Sequence, residues 1–325
     1  MQFPNNLYAA SFASAFLVSW IGLPFWNRWA RRAGLVDDPG HRKIHTTPMT
    51  LAGGFAVFAG LLVPVLAGLI VVWMEWVPRE SLTPLTYGLQ RKALQLAAIL
   101  FGALGMLILG WIDDKHELSP ARKLMGQCVI AILVAASGLR ITLFVPSVAF
   151  SYAVTILWIL SLTNAFNFMD NMNGLCGGLA AIAALSFAAA SASQGQYLVT
   201  VIALLASGAF LGFLPHNFPR ATTFLGDSGS HLSGFLMAIL AILPHFHTPK
   251  NQDGWAVLLP LFILSVPLVD LVSVVLIRWR LGKPIYVGDT NHLSHRLTRA
   301  GLSKSTAVLL LWLAAAAISA LGFAL

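Results

Sequence analysis

Asp113 and Asp114 are adjacent carboxylates at the end of a long apolar run, within Gly110-Trp111-Ile112-Asp113-Asp114-Lys115-His116-Glu117. Two acids at a hydrophobic boundary lose hydration and repel each other unless a cation holds them. In a chain with only 12 acids, that placement points to a metal ion or to phosphate chemistry. A solvated helix end is the plain alternative, and the polar company of the pair decides between the two. Lys123 begins the next apolar run. It is either a basic anchor or, across so short a loop, a side chain turned back toward the carboxylates.

Four further stretches carry related chemistry. Asn164, Asn167 and Asn171 recur at i, i+3 and i+7 beside Asp170, and the stretch runs on through Asn173-Gly174 to Gly177-Gly178. Amides and a carboxylate without any basic residue make a good oxygen-ligand set, although membrane-buried Asn also bonds helices together. Asn217 precedes Phe224-Leu225-Gly226-Asp227-Ser228-Gly229-Ser230. Asp227 is a natural helix cap, and the glycines around it expose backbone to a phosphate or a metal-bound ligand. Near the C-terminus, His292, His295 and Arg296 share one face of any short helix capped by Thr290 or Asn291, which suits a pyrophosphate. Near the N-terminus, Lys43 and His45 lie between Pro39-Gly40 and Gly53-Gly54. That loop either fixes topology or meets an anion at the start of a helix.

The elements that must position these residues are membrane helices. The 325 residues are 58% hydrophobic and 10% charged, with mean hydropathy +0.78, far from the globular norm of about 25% charged. A span needs about 20 apolar residues. Ten fit, near 7–25, 51–77, 93–112, 123–139, 149–165, 177–192, 197–214, 229–246, 255–278 and 306–325. The second and ninth are long enough to tilt or break. No Lys or Arg precedes Arg28, so the first span lacks the basic flank of a cleaved signal. Alternating from there, fifteen of the 20 basic residues fall on the side of Arg28, and only Arg79, Arg91, Lys92, Arg140 and Lys250 on the other. That bias puts the polar loops in the cytoplasm and both termini outside. The acids concentrate on the same inner side, so the net charge of +8 conceals a mixed surface suited to a metal and anionic ligands and not to nucleic acid. Two cysteines, Cys128 and Cys176, exclude a disulfide framework.

Taken together, the blocks Lys43 to Gly54, Asp113-Asp114 with Lys123, Asn164 to Leu175, Asn217 with Phe224 to Ser230, and His292 to Leu297 resemble the polyprenyl-phosphate N-acetylhexosamine-1-phosphate transferases. That family includes the lipid-carrier GlcNAc-1-phosphate transferases and phospho-MurNAc-pentapeptide translocase. The resemblance covers nearly the whole chain, 1–325, as one all-α transmembrane domain of ten or eleven helices around a cytoplasm-facing cleft in a bacterial inner membrane. It implies Mg2+ dependence, with Mn2+ as a substitute, and transfer of a sugar-1-phosphate from a UDP-sugar to undecaprenyl phosphate with release of UMP. A homodimer is compatible with it.

By position, Asp227, Asn167 and Asp170 resemble the metal site, and Asp113 and Asp114 the catalytic pair. Lys43, His45, Lys123, Asn164, Asn217, His292, His295 and Arg296 resemble phosphate and nucleotide contacts. Two positions depart from the family pattern. Its Asp-Gly-x-Asp-Gly is Asp170-Asn171-Met172-Asn173-Gly174 here, and its His-x-His-His is His292-Leu293-Ser294-His295. The His295-Arg296-Leu297 ending and short last loop resemble the GlcNAc-type branch, with MurNAc-pentapeptide as the second donor. A nucleotide-sugar or ion-coupled transporter is the competing class, but it would place ionisable groups near the midplane, where this chain has only Asp270.

Overall fold

The computed structural model describes residues 3–37, 48–76, 79–143, 145–244, 246, 254–286 and 288–324. The helices are α1 (Asn5–Arg32), α2 (Gly53–Trp73), α3 (Arg79–His116), α4 (Pro120–Ala136), α5 (Val148–Met169) and α6 (Leu175–Ser193). They continue with α7 (Tyr197–Phe213), α8 (Gly226–Ile242), α9 (Leu259–Ile263), α10 (Ser265–Arg280), α11 (Leu293–Arg299) and α12 (Lys304–Ala324). Two short antiparallel strands, β1 (Val36–Asp37) and β2 (Met49–Thr50), close the N-terminal loop.

Among the described residues, seven helices are each long and apolar enough to cross a membrane, and α9 with its neighbouring turn plus α10 makes an eighth, bent by 73°. The break in the ninth expected span falls at Leu264, while the second stays one helix despite Pro64. The remaining two expected spans correspond to α4 and α8, each of 17 residues. At that length a helix is roughly 26 Å long, short of the ~30 Å hydrocarbon core. The third span starts earlier than expected, because α3 runs for 38 residues. Arg91 and Lys92, expected in a loop, are inside it, since basic residues are good helix formers where a helix emerges from lipid.

Helix α8 is the centre. It is buried on nearly every side, as a helix apolar all round must be, and α2, α3, α5 and α6 pack on it. Lipid supplies no hydrophobic drive between helices, so they associate through close approach at small residues. A Cβ on Gly54 would come within 2.5 Å of the Gly229 nitrogen, and one on Gly110 would collide with the Asp227 carbonyl. The outer faces expose Ile21, Phe25, Phe101, Leu133, Leu157 and Leu313, as a lipid-facing surface requires. Exposed Trp73 and Trp279 sit at the last residues of α2 and near the end of α10, where amphipathic rings favour the interface.

Candidate active site

The first four N–H groups of a helix lack intrahelical partners. At α8 two of them are met from another helix. Asp114, in the last turn of α3, accepts from the Asp227 N–H at 2.7 Å through Oδ1 and from the Ser228 N–H at 3.0 Å through Oδ2. The expectation that Asp227 itself caps α8 is therefore corrected. Because Asp114 does so, the Asp227 side chain is released for other contacts.

Those contacts converge from four helices. Lys123 Nζ of α4 lies 2.6 Å from Asp113 Oδ2 and 3.0 Å from Asp227 Oδ2, so the lysine does turn back. Asn167 Nδ2 of α5 donates to Asp227 Oδ1 at 2.6 Å and to Ser230 Oγ at 2.9 Å. Asp113 Oδ1 also accepts from the Leu118 N–H at 2.8 Å, which fixes the turn leaving α3. His231, fully buried one turn beyond Asp227, offers a nitrogen within 4.8 Å of ligand oxygens on Asp113 and Asp227. Behind it, Gln127 Nε2 is 3.5 Å from His231 Nε2, and Gln127 Oε1 accepts from Asn164 Nδ2 at 2.8 Å. Asn164 thus reaches the cluster only through Gln127 and His231. Sequence reasoning missed both of these, although Asp227/His231 and Lys123/Gln127 are each an i, i+4 pair that one helix face would have joined.

Asp170 follows the last residue of α5. Burial first, and then the carboxylates of Asp227 and Asp114, push its pKa up to about 8. The glycines around this region serve the protein's own packing. The Gly53 and Gly54 N–H groups are taken by the Phe224 and Leu225 carbonyls, which corrects the expectation that they face an anion. Asn217, buried, accepts from the Gly174 N–H at 2.6 Å and donates to the Thr223 carbonyl at 2.9 Å. It ties two loops together with both ends of its amide. Lys43 and His45 lie outside the described residues.

On the other flank, His292 caps α11 by position, where Thr290 or Asn291 was expected. Its Nδ1 is 2.7 Å from Asp270 Oδ2, and Asp270 Oδ1 accepts from the Leu293 N–H at 2.6 Å. The His292 ring meets Phe168 edge-on at 5.4 Å, one residue from Asn167. Ser294 Oγ donates to Asn171 Oδ1 at 2.6 Å, so the two departures from the family pattern touch each other. Burial, and then the neighbouring His292, Arg299 and Lys304, lower the His295 pKa. His295 accordingly stays neutral at pH 7, and Arg296 lies exposed on the same short helix.

The donor set suits a hard cation. Carboxylate oxygens of Asp113 and Asp227 and the amide of Asn167 are oxygen ligands of the kind that Mg2+ takes, and the Lys123 ammonium already occupies the position between the two carboxylates where positive charge is wanted.

Residues 96–245 match the model of glycosyl transferase family 4. A Bacillus subtilis (strain 168) protein, named "Probable undecaprenyl-phosphate N-acetylglucosaminyl 1-phosphate transferase", is 32% identical over 311 residues, covering 92% of this chain and 80% of that one. The decaprenyl-phosphate N-acetylglucosaminephosphotransferase of Mycobacterium tuberculosis (strain CDC 1551 / Oshkosh) is 33% identical over 310 residues, 87% of this chain and 74% of that one. The undecaprenyl-phosphate alpha-N-acetylglucosaminyl 1-phosphate transferase of Escherichia coli (strain K12) is 27% identical over 326 residues, 95% of this chain and 81% of that one. At such identity over so much of both sequences, this multi-pass membrane chain belongs to glycosyl transferase family 4, the polyprenyl-phosphate phosphosugar transferases that its polar loops resemble.

Proposed function

We propose that this protein transfers GlcNAc-1-phosphate from UDP-GlcNAc to undecaprenyl phosphate, giving the lipid diphosphosugar and UMP at the inner face of a bacterial inner membrane. The observation that carries this reading is the convergence of Asp113, Lys123, Asn167 and Asp227 from four helices onto one point, in a chain whose compared relatives are all named for GlcNAc-phosphate transfer. Ten spans with both termini periplasmic are part of the same proposal, supported by the basic-residue bias.

The reaction brings two anions together. A lipid phosphate oxygen attacks the phosphorus that carries the sugar, the bridging P–O bond breaks, and UMP departs. Charge repulsion is the barrier to lower. Asp227, Asn167 and Asp113 are the residues that would hold Mg2+, which would supply positive charge for the diphosphate. With that charge supplied, Lys123 would be free to meet an incoming phosphate. Asp114 cannot play the same part as its neighbour, because both of its oxygens hold backbone of α8. Asp113 instead bonds the Lys123 side chain, so it is the acid that would help hold the cation and keep Lys123 in reach of the lipid phosphate. At pH 7 a phosphate monoester with a second pKa of about 6 is already mostly dianionic, so orientation matters more than proton removal.

Purified protein with undecaprenyl phosphate and a panel of UDP-sugars tests this. UMP should appear in step with lipid labelling from UDP-GlcNAc and not from UDP-MurNAc-pentapeptide. Uptake of intact nucleotide sugar into vesicles without UMP would establish a carrier instead.

A further inference from the structure

We propose that Asp270, which no functional role so far explains, is a positioning residue that fixes the His292 ring in one tautomer and one orientation, with Nε2 presented as an acceptor for a hydroxyl or N–H group of the nucleotide sugar. The carboxylate is completely buried in α10, inside a stretch read as membrane-spanning, and such a group persists there only with partners. Both of its bonds go to the start of α11. An ionised carboxylate only accepts, so the 2.7 Å contact to Nδ1 places the proton on Nδ1. Nε2, on the far side of the ring, is left as the nitrogen that can meet a ligand. The second oxygen holds the Leu293 N–H, so the backbone that carries the ring is fixed together with the ring.

Three further contacts make the arrangement rigid. Phe168 packs on the imidazole edge and immediately follows Asn167, which itself bonds Asp227. Ser294 bonds Asn171 on the same segment. Two turns along α10, Arg278 is also buried, donates to Asp289 Oδ2 at 3.0 Å and to the Ile285 carbonyl at 2.6 Å, and lies over the Phe168 ring. Helix α10 thus grips the loop before α11 at two places, with Asp270 nearest the imidazole. The ligand contact rests on the transfer reading above, whereas the tautomer does not.

The test uses full-length protein with 15N-labelled histidine in nanodiscs, with the His292 signal identified by its loss in His292→Gln. Wild type should show the Nδ1–H form. Asp270→Asn keeps an acceptor for Leu293 but turns an N–H toward the ring, so His292 should switch to the Nε2–H form while Tm stays within a few degrees. Turnover should fall at least about tenfold. The KM rise should be confined to UDP-GlcNAc, the substrate that carries hydroxyl and N–H groups, and one confined to undecaprenyl phosphate would overturn the contact. In the His292→Gln background, Asp270→Asn should cost nothing further, whereas a purely structural acid would cost the same in both. An Nε2–H form in wild type, an unchanged tautomer in Asp270→Asn, unaltered kinetics, or additive losses would each overturn the proposal. If wild type released no UMP, the transfer reading would fail, and the tautomer and its switch would still decide whether Asp270 positions the ring.

Discussion

The two flanks of the site treat buried acids in opposite ways. At the start of α8, Asp113 and Asp227 share one cation, Lys123, while Asp114 and Asp170 add two more carboxyl groups close to Asp227, and burial together with those neighbours lifts the Asp170 pKa to about 8. Beside α11, each acid has its own partner. Asp270 holds His292, and Asp289 holds Arg278, which with the Asn291 contacts pulls the Asp289 pKa down to about 2. The first region is short of positive charge and built to recruit it. In the second, each acid is held by its own partners, and the region is built to keep its shape. Excess charge is what a protein tolerates where a ligand completes the site, and dedicated pairing is what it uses where geometry alone is wanted.

The sharpest way to break this contrast is Asp227→Asn. Turnover should drop about 100- to 1000-fold, the scale of losing one preorganised electrostatic group, while Tm holds because Asp114 still caps α8. UMP release and a melting curve check it, and near-normal turnover would move the site elsewhere. Next, Mg2+ alone should stabilise the protein, by about 2.7 kcal/mol at 100 times its Kd. That gain should vanish on chelation and in an Asp113→Asn/Asp227→Asn double variant. The same gain in that variant would place the ion away from α8.

The adjacent acids should also part company. Asp114→Ala leaves two N–H groups of α8 unpaired and should cost about 1–3 kcal/mol, seen as a lower Tm. Asp113→Asn, which relieves repulsion, should lower turnover without lowering Tm. Equal stability losses in the two would erase the division of labour. On the α11 side the effects shrink. Ser294→Ala and Asn171→Ala should each cost about 1 kcal/mol and should not add in the double variant, since they remove one shared bond.

Asp289→Asn is the smallest. Its folded pKa lies below the ordinary value of 3.8, so its pairing stabilises above roughly pH 4 and is lost as pH falls through about 2. The Tm gap between variant and wild type should be full at pH 6 and close toward pH 2. A gap that widened on acidification would contradict the sign.

Much of the frame was legible in the chain. Hydropathy located the helices and marked the ninth as breakable, because it measures what a segment presents to lipid. The return of Lys123 toward Asp113 followed from a short loop. Other features depend on which helices become neighbours, and no local pattern carries that. Asp114 resembles Asp113 in sequence, and only the packing of Gly110 on the Asp227 carbonyl brings it under the open N–H groups of α8. Likewise Gly53 and Gly54 look like an anion cradle until the Phe224 and Leu225 carbonyls are placed against them. His231 and Gln127 were hidden in runs read for lipid contact.

The length of α3 has a consequence for the bilayer. Its 38 residues make a continuous rod of roughly 57 Å, nearly twice the ~30 Å hydrocarbon thickness, and its last turn is joined to the first turn of α8 by Asp114. Since its apolar run begins only after Lys92, the excess length stands outside the lipid, and the tilt of the rod is set by its packing and its anchors. When a thicker or thinner membrane changes the inclination of this rod, its end carries Asp227 with it, so acyl-chain length becomes a lever on the spacing of the reacting groups.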